Sequence, residues 1–185
     1  MSGVATTVIV GRYQITVGTA EHDRLAALRR HAELADDFPL ADNTTVGDDA
    51  GYLFVAVSDS NPWPGLVITQ RYSPSGAGFT PGVLLIDEPA RLFLGAGTRL
   101  LSYERSAGRW RRSWTDQAEC GFWQWRQHHG VVLMSAELEL AAWDTEGIKL
   151  WTTFVEPPWT YQVDADHVDL DVMGSRRSFD LRRGP

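Results

Sequence analysis

Between Leu92 and Trp151 the sequence is written twice, and a duplicated stretch of short alternating segments leaves few folds open. The first copy, LFLGAGTRLLSYERSAGRWRRSW, runs from Leu92 to Trp114; the second, VVLMSAELELAAWDTEGIKLW, runs from Val131 to Trp151. With Leu100 set on Leu140, Leu94 meets Met134, Gly95 meets Ser135, Tyr103 meets Trp143 and Glu104 meets Asp144. One residue of slippage brings Gly108 to Gly147, and a little more brings Trp114 to Trp151. The offset of roughly 40 residues is the spacing of four-stranded propeller blades or of paired hairpins.

The rest of the chain has the same grain. Tyr13, Ile15 and Val17 alternate with polar residues, so Val8 to Val17 reads as one or two strands around Gly11. Gly51–Val57, Leu66–Gln70, Val83–Ile86, Gly121–Gln127, Trp159–Val163, Val168–Met173 and Arg177–Leu181 are further short strands, punctuated by Gly, Pro and Asp. One helix interrupts them near residues 20–35. Thr19 caps it, and Leu25, Leu28, Ala32 and Ala35 form its apolar stripe. Asp36 to Asp49 reads as a loop and Ser73 to Pro81 as a flexible turn. The predicted fold is mainly β (a β-rich α+β chain), with antiparallel blade-like meanders in an open sheet or sandwich. It is a single domain over 1–185, with a strand-helix-strand part at 1–90 and blade-like repeats at 91–185.

VVLMSAELELAAWDTEGIKLW resembles the repeat of quinoprotein-type (PQQ-like) β-propellers. The shared pattern is a strand, a small residue, a second strand ending in aromatic-Asp, a turn glycine, and a strand ending in Leu-Trp. Leu92–Trp114 looks like a weaker copy, and His167–Leu181, with Phe179-Asp180 in the aromatic-acid position, like a truncated third. The resemblance implies hairpins whose tryptophans pack between neighbouring sheets. It does not imply the quinone. Two or three units do not close a ring of four to eight blades, so the expected architecture is an incomplete propeller.

Net charge is −7 and unevenly spread: residues 1–90 hold five arginines against eleven acidic residues. That balance disfavours nucleic acid and anionic membrane, and suits either a basic protein partner or solubility alone. Cys120 is the only cysteine, so no internal disulfide forms. No basic region precedes an apolar run at the N-terminus, and no apolar stretch approaches the roughly 18 residues of a membrane span. A cytoplasmic location is expected.

No stretch amounts to a catalytic signature. Cys120 reads as a buried, inert thiol beside sheet core. His22 and His31 are too far apart for ligands one helical turn apart, and His128-His129-Gly130 reads as a hairpin turn. Asp164, Asp166 and His167 lack the glycine and later glutamate of a calcium loop. Arg109-Trp110-Arg111-Arg112 is a strand with alternating faces. Glu137 and Glu139 share one strand face and are weak candidates for acid–base work, with the Asp164–Asp171 carboxylates as the other set an enzyme could use. No metal and no cofactor is expected.

Aromatic side chains carry the binding expectation. Trp123, Trp125, Trp143, Trp151, Trp159 and Tyr161 crowd together in the second half. Strand alternation puts Trp123 with Trp125, and Trp159 with Tyr161, on common faces. Glu156-Pro-Pro-Trp159 is expected to hold an indole at an edge, and Trp63 between two prolines to present another. The expected binding residues are Trp123, Trp125, Trp159, Tyr161, Trp63 and Arg126; the set reads either as sheet core or as an interface. The favoured reading is a non-catalytic protein-binding protein, of the immunity type that blocks a basic partner. Its alternatives are an enzyme or binder for a small polar or sugar-like ligand in a Trp-lined cleft, and a module that forms homo-oligomers through edge strands.

Overall fold

The computed structural model describes residues 5–20, 23–40, 50–73 and 80–185. Strands β1 (Ala5–Val10) and β2 (Tyr13–Gly18) form a hairpin that turns at Gly11, as the alternation predicts. The helix α1 (Leu25–His31) has seven residues, far fewer than the stripe from Leu25 to Ala35 suggests. Thr19 does not cap it: Arg24 occupies the cap position with no side-chain bond. Ala32 turns the chain extended, and β3 (Leu34–Phe38) runs parallel to β5 (Leu66–Tyr72). The ladder to β5 satisfies the β3 backbone, and the acids expected in a solvated loop find partners there. Asp36 accepts from the Tyr103 hydroxyl (2.8 Å) and Asp37 from Thr69 (2.5 Å). His22 and most of the two expected loops, 41–49 and 74–79, lie outside the described residues.

With β4 (Gly51–Ser58) these strands make a first sheet, in order β1-β2-β4-β5-β3. Three meanders follow in chain order. The second sheet is β6 (Gly82–Ile86), β7 (Arg91–Ala96), β8 (Arg99–Ser106) and β9 (Arg109–Gln117). The third is β10 (Phe122–His128), β11 (Val131–Ala136), β12 (Glu139–Asp144) and β13 (Lys149–Phe154). The fourth is β14 (Trp159–Asp164), β15 (His167–Val172) and β16 (Ser175–Asp180). The protein is therefore mainly β, with antiparallel meanders, and among the described residues no sheet is closed into a barrel. Among the described residues, no helix is long and apolar enough to cross a membrane.

Because successive strand residues point to opposite faces, each of the first three sheets serves two apolar layers, and the fourth serves one. Helix α1 sets Leu25 against Phe54, Ala56 and Val67 on the outer face of the first sheet. Tyr13, Val55 and Ile68 meet Leu92, Leu101 and Tyr103 between the first and second sheets. Phe93 and Leu100 meet Trp125, Val132 and Trp143 between the second and third. Leu133, Leu140 and Trp151 meet Trp159, Val168 and Phe179 between the third and fourth. A large apolar side chain buried this way contributes about 1.5–3 kcal/mol relative to exposure.

The two copies occupy the same place in their sheets. Leu100 and Leu140 are each the second residue of a third strand and face the following sheet; Tyr103 and Trp143 face the preceding one. Both third strands shift register at one step, after Ser102 and after Ala142. That bulge absorbs the slippage seen in the alignment, and puts Trp114 opposite Ser102 and Trp151 opposite Ala142. Each of these indoles then ties its sheet to a turn of the next. Trp114 Nε1 donates to the Gly147 carbonyl (2.8 Å), and Trp151 Nε1 to the Leu181 carbonyl (2.8 Å). The receiving turns are alike too. Asp144 Oδ1 accepts from the Ile148 amide, Asp180 Oδ1 accepts from the Arg182 and Arg183 amides, and Gly147 and Gly184 supply the left-handed residues at φ +80° and +79°.

Candidate functional site

The site begins with an irregularity in β10. Regular alternation would put Trp123 and Trp125 on one face, but the ladder from β10 to β11 shifts register between Phe122 and Gln124. A bulge re-aims the residue that it contains. Phe122 and Trp125 face the second sheet, whereas Trp123 packs on the opposite side, toward the fourth. The expectation of a shared face is corrected by this bulge.

Across the interface stands β14. The Trp123 ring stacks on Trp159 with centroids 5.0 Å apart and planes 10° apart, and Trp159 stacks in turn on Tyr161 at 6.2 Å and 22°. Trp159 is not presented at an edge: it is 7% exposed, and its Nε1 donates to the Glu137 carbonyl (3.1 Å) in the β11–β12 turn. Packing of this kind contributes about 0.5–1.5 kcal/mol per ring pair beyond area burial, so the three rings make a fixed wall.

Beside that wall lies a cleft of about 190 Å³. Trp123, Gln124 and Arg126 of β10, Ser135 of β11, and Trp159, Thr160 and Tyr161 of β14 line it. Ser135 is 1% exposed, and its hydroxyl has no hydrogen-bond partner. The buried Tyr161 hydroxyl has none either. A buried polar group left unmatched costs about 1–3 kcal/mol, so a group that bonds to both hydroxyls would be stabilised there. Burial holds the Tyr161 phenol above its usual range, against an opposing pull from the Arg126 charge, so it is a hydrogen-bond donor at neutral pH. Arg126 lies exposed at the rim, with its Nε on Gln124 Oε1 (3.2 Å). Among the described residues no carboxylate pairs with it. Burial lowers the pKa of His128, two residues on, and the nearby Arg126 charge acts in the same sense.

Four of the six expected binding residues therefore come together: Trp123, Trp159, Tyr161 and Arg126. Trp125 lies in the preceding layer, 5.4 Å from Phe93 and 5.5 Å from Trp143. Trp63 is 38% exposed but stacks on His31 of α1 at 4.2 Å, beside the first sheet. Ser135 was missed, although the duplication held the signal. Its counterpart Gly95 lets Phe122 settle where a Cβ would lie 2.5 Å from the ring. Ser135 puts a Cβ and a hydroxyl at the same step of β11, and there the layer stands open.

Glu137 and Glu139 do not form a carboxylate pair on one face. Glu137 lies in the turn before β12. Glu139 is buried, and its carboxylate accepts from the Glu119 amide (2.9 Å) and the Thr152 hydroxyl (2.7 Å), with Lys149 at 3.7 Å. Cys120 is exposed rather than buried: it lies in the bend before β10, with left-handed backbone at φ +62°. Among the described residues no three His, Cys, Asp or Glu side chains are grouped to hold a metal ion. The two hollows of about 700 Å³ beside α1 and about 660 Å³ at the fourth sheet contain charged side chains already paired with each other, and a third of about 260 Å³ lies beside Tyr72 and Arg99. Arg29 lies 3.7 Å from Asp37 in the first, and Arg176 lies 3.1 Å from Asp171 in the second.

No protein-family model matches the chain, and no curated protein matches it. The functional reading rests on the geometry of the cleft between the third and fourth sheets.

Proposed function

We propose that this is a non-catalytic binding protein whose ligand is a small molecule with a flat body, seated against Trp123, Trp159 and Tyr161. One observation carries the reading: the Ser135 and Tyr161 hydroxyls lie buried and unmatched in an aromatic-walled cleft. The cleft is smaller than the roughly 300–1,000 Å³ typical of drug-sized ligands, so the ligand is smaller still. The reading of a basic protein partner draws less support, because acids of the N-terminal half are engaged within the molecule. Asp59 pairs with Arg105, Asp36 with Arg112, and Asp37 with Arg29. Kinship with quinoprotein-type repeats is supported by the recurring bulge and the recurring indole-to-turn bonds, and we read the last three sheets as blade-like units. The single unpaired cysteine suits a reducing compartment, and we place the protein in the cytoplasm.

Titration with benzamide, a neutral planar probe, while following tryptophan fluorescence tests the reading. Saturable quenching with a dissociation constant in about the millimolar range or below is expected. Trp123→Leu should abolish it, and Trp63→Leu should leave it unchanged. Linear quenching that both variants share with the parent would overturn the reading.

A further inference from the structure

The donors carried by the residues that line the cleft point to the charge of its ligand. Tyr161 offers a phenolic hydrogen and Ser135 a buried hydroxyl, and both lack partners. Arg126 adds a guanidinium at the rim, and no Asp or Glu lines the cleft. That is a local exception in a chain of net charge −7. A sugar hydroxyl needs acceptors as well as donors. Here the Gln124 carbonyl oxygen already accepts one bond from Arg126, so the side-chain acceptors left are its second lone pair and the hydroxyls, fewer than the donors that line the cleft. A carboxylate is acceptor-only, and its oxygens take the short, strong bonds that charged partners allow. One arginine with two neutral hydroxyls balances one negative charge rather than two.

We infer that the cleft selects a small planar monocarboxylate, its ring against the Trp123 and Tyr161 wall and its carboxylate toward Ser135, Tyr161 and Arg126. The inference rests on the proposed small-ligand reading and deepens it. Arg126 fixes the sign of the charge, Ser135 and Tyr161 fix where the carboxylate sits, and the stacked rings set the flat shape.

Benzoate and benzamide have nearly the same outline and differ in charge. Calorimetric titration of the intact protein with each, and with glucose, tests the inference. Benzoate should bind about ten- to a hundredfold tighter than benzamide, the range expected when a hydrogen-bonded charge is added. Arg126→Gln should remove that preference by weakening benzoate far more than it weakens benzamide, because the guanidinium supplies the charge that only benzoate uses. Ser135→Ala should weaken benzoate more than benzamide. Equal affinity for benzoate and benzamide, or tighter binding of glucose, would overturn the carboxylate while leaving a small-ligand site standing. If none of the three probes binds and circular dichroism shows the fold intact, both the inference and the reading beneath it fall.

Discussion

Trp143→Ala is expected to lower the unfolding free energy by about 3–5 kcal/mol, the cost of emptying a large aromatic site in a packed core. Trp143 is 1% exposed and links three elements. It stacks on Trp114 at 5.6 Å and 20°, meets Trp125 edge-on at 5.5 Å and 72°, and has the Lys149 ammonium 5.1 Å from its ring centre. Trp114 belongs to the second sheet and is also bonded to the Gly147 carbonyl of the third. Removing Trp143 therefore loosens both sides of one layer, and strands on either side give little room for collapse into the void. A domain is stable by only about 5–15 kcal/mol, so the variant should unfold at a much lower urea midpoint. Trp143→Phe should recover part of the loss. A loss below about 1 kcal/mol, the size of an ordinary surface change, would mean that this layer is not packed as described.

Glu104→Gln is the second large effect. The Arg91 side chain is 4% exposed, and its guanidinium donates to Ser102 (3.2 Å), Ser113 (3.0 Å) and the Glu104 carboxylate. The same carboxylate holds Arg111, which is 69% exposed and loses little when released. Neutralising Glu104 leaves Arg91 buried without a countercharge, and breaking such a pair costs about 3–5 kcal/mol. Acid should do to the parent what the substitution does. Burial raises the Glu104 pKa, but Arg91 and Arg111 together outweigh it, and the net direction is down. Asp59 is also lowered, first by its bond to Arg105. A carboxylate whose folded pKa is depressed adds stability above its unfolded value, and that stability is lost as pH falls through the folded one. The melting temperature should therefore fall as pH drops below about 5, and Glu104→Gln should flatten the slope. A parent profile level from pH 6 to about 3 would contradict the assignment.

Most of the strand plan could be read from alternation and turn residues, because a period of two joined to Gly, Pro and Asp has few structural solutions. Phe179-Asp180 shows how far that carries: the pair ends the third strand of its sheet, as Trp143-Asp144 does, and Tyr103-Glu104 lies two residues before the end of its own. The misreadings share one cause, that short-range pattern does not see long-range pairing. Leu25 to Ala35 carries a helical stripe, yet β5 recruits Leu34–Phe38 as a parallel partner. Trp123 and Trp125 obey alternation on paper, yet one register shift separates them. Glu139 looks like a solvent-facing acid, yet the Glu119 amide and Thr152 fold over it. Within the site, the aromatic residues were legible because indoles and phenols are conspicuous. Ser135 was not, because a serine opposite Leu140 and Gln124 becomes notable only when its hydroxyl proves buried and unmatched.

The eight indole N–H resonances give the most direct test of the cleft between the third and fourth sheets. Each can be assigned by single substitution and followed by NMR as benzoate is added. Saturable shifts are expected at Trp123 and Trp159, with Trp63, Trp110, Trp114 and Trp151 unmoved. Shifts centred on Trp63, shifts spread evenly over all eight, or eight resonances fixed at millimolar benzoate would contradict that expectation.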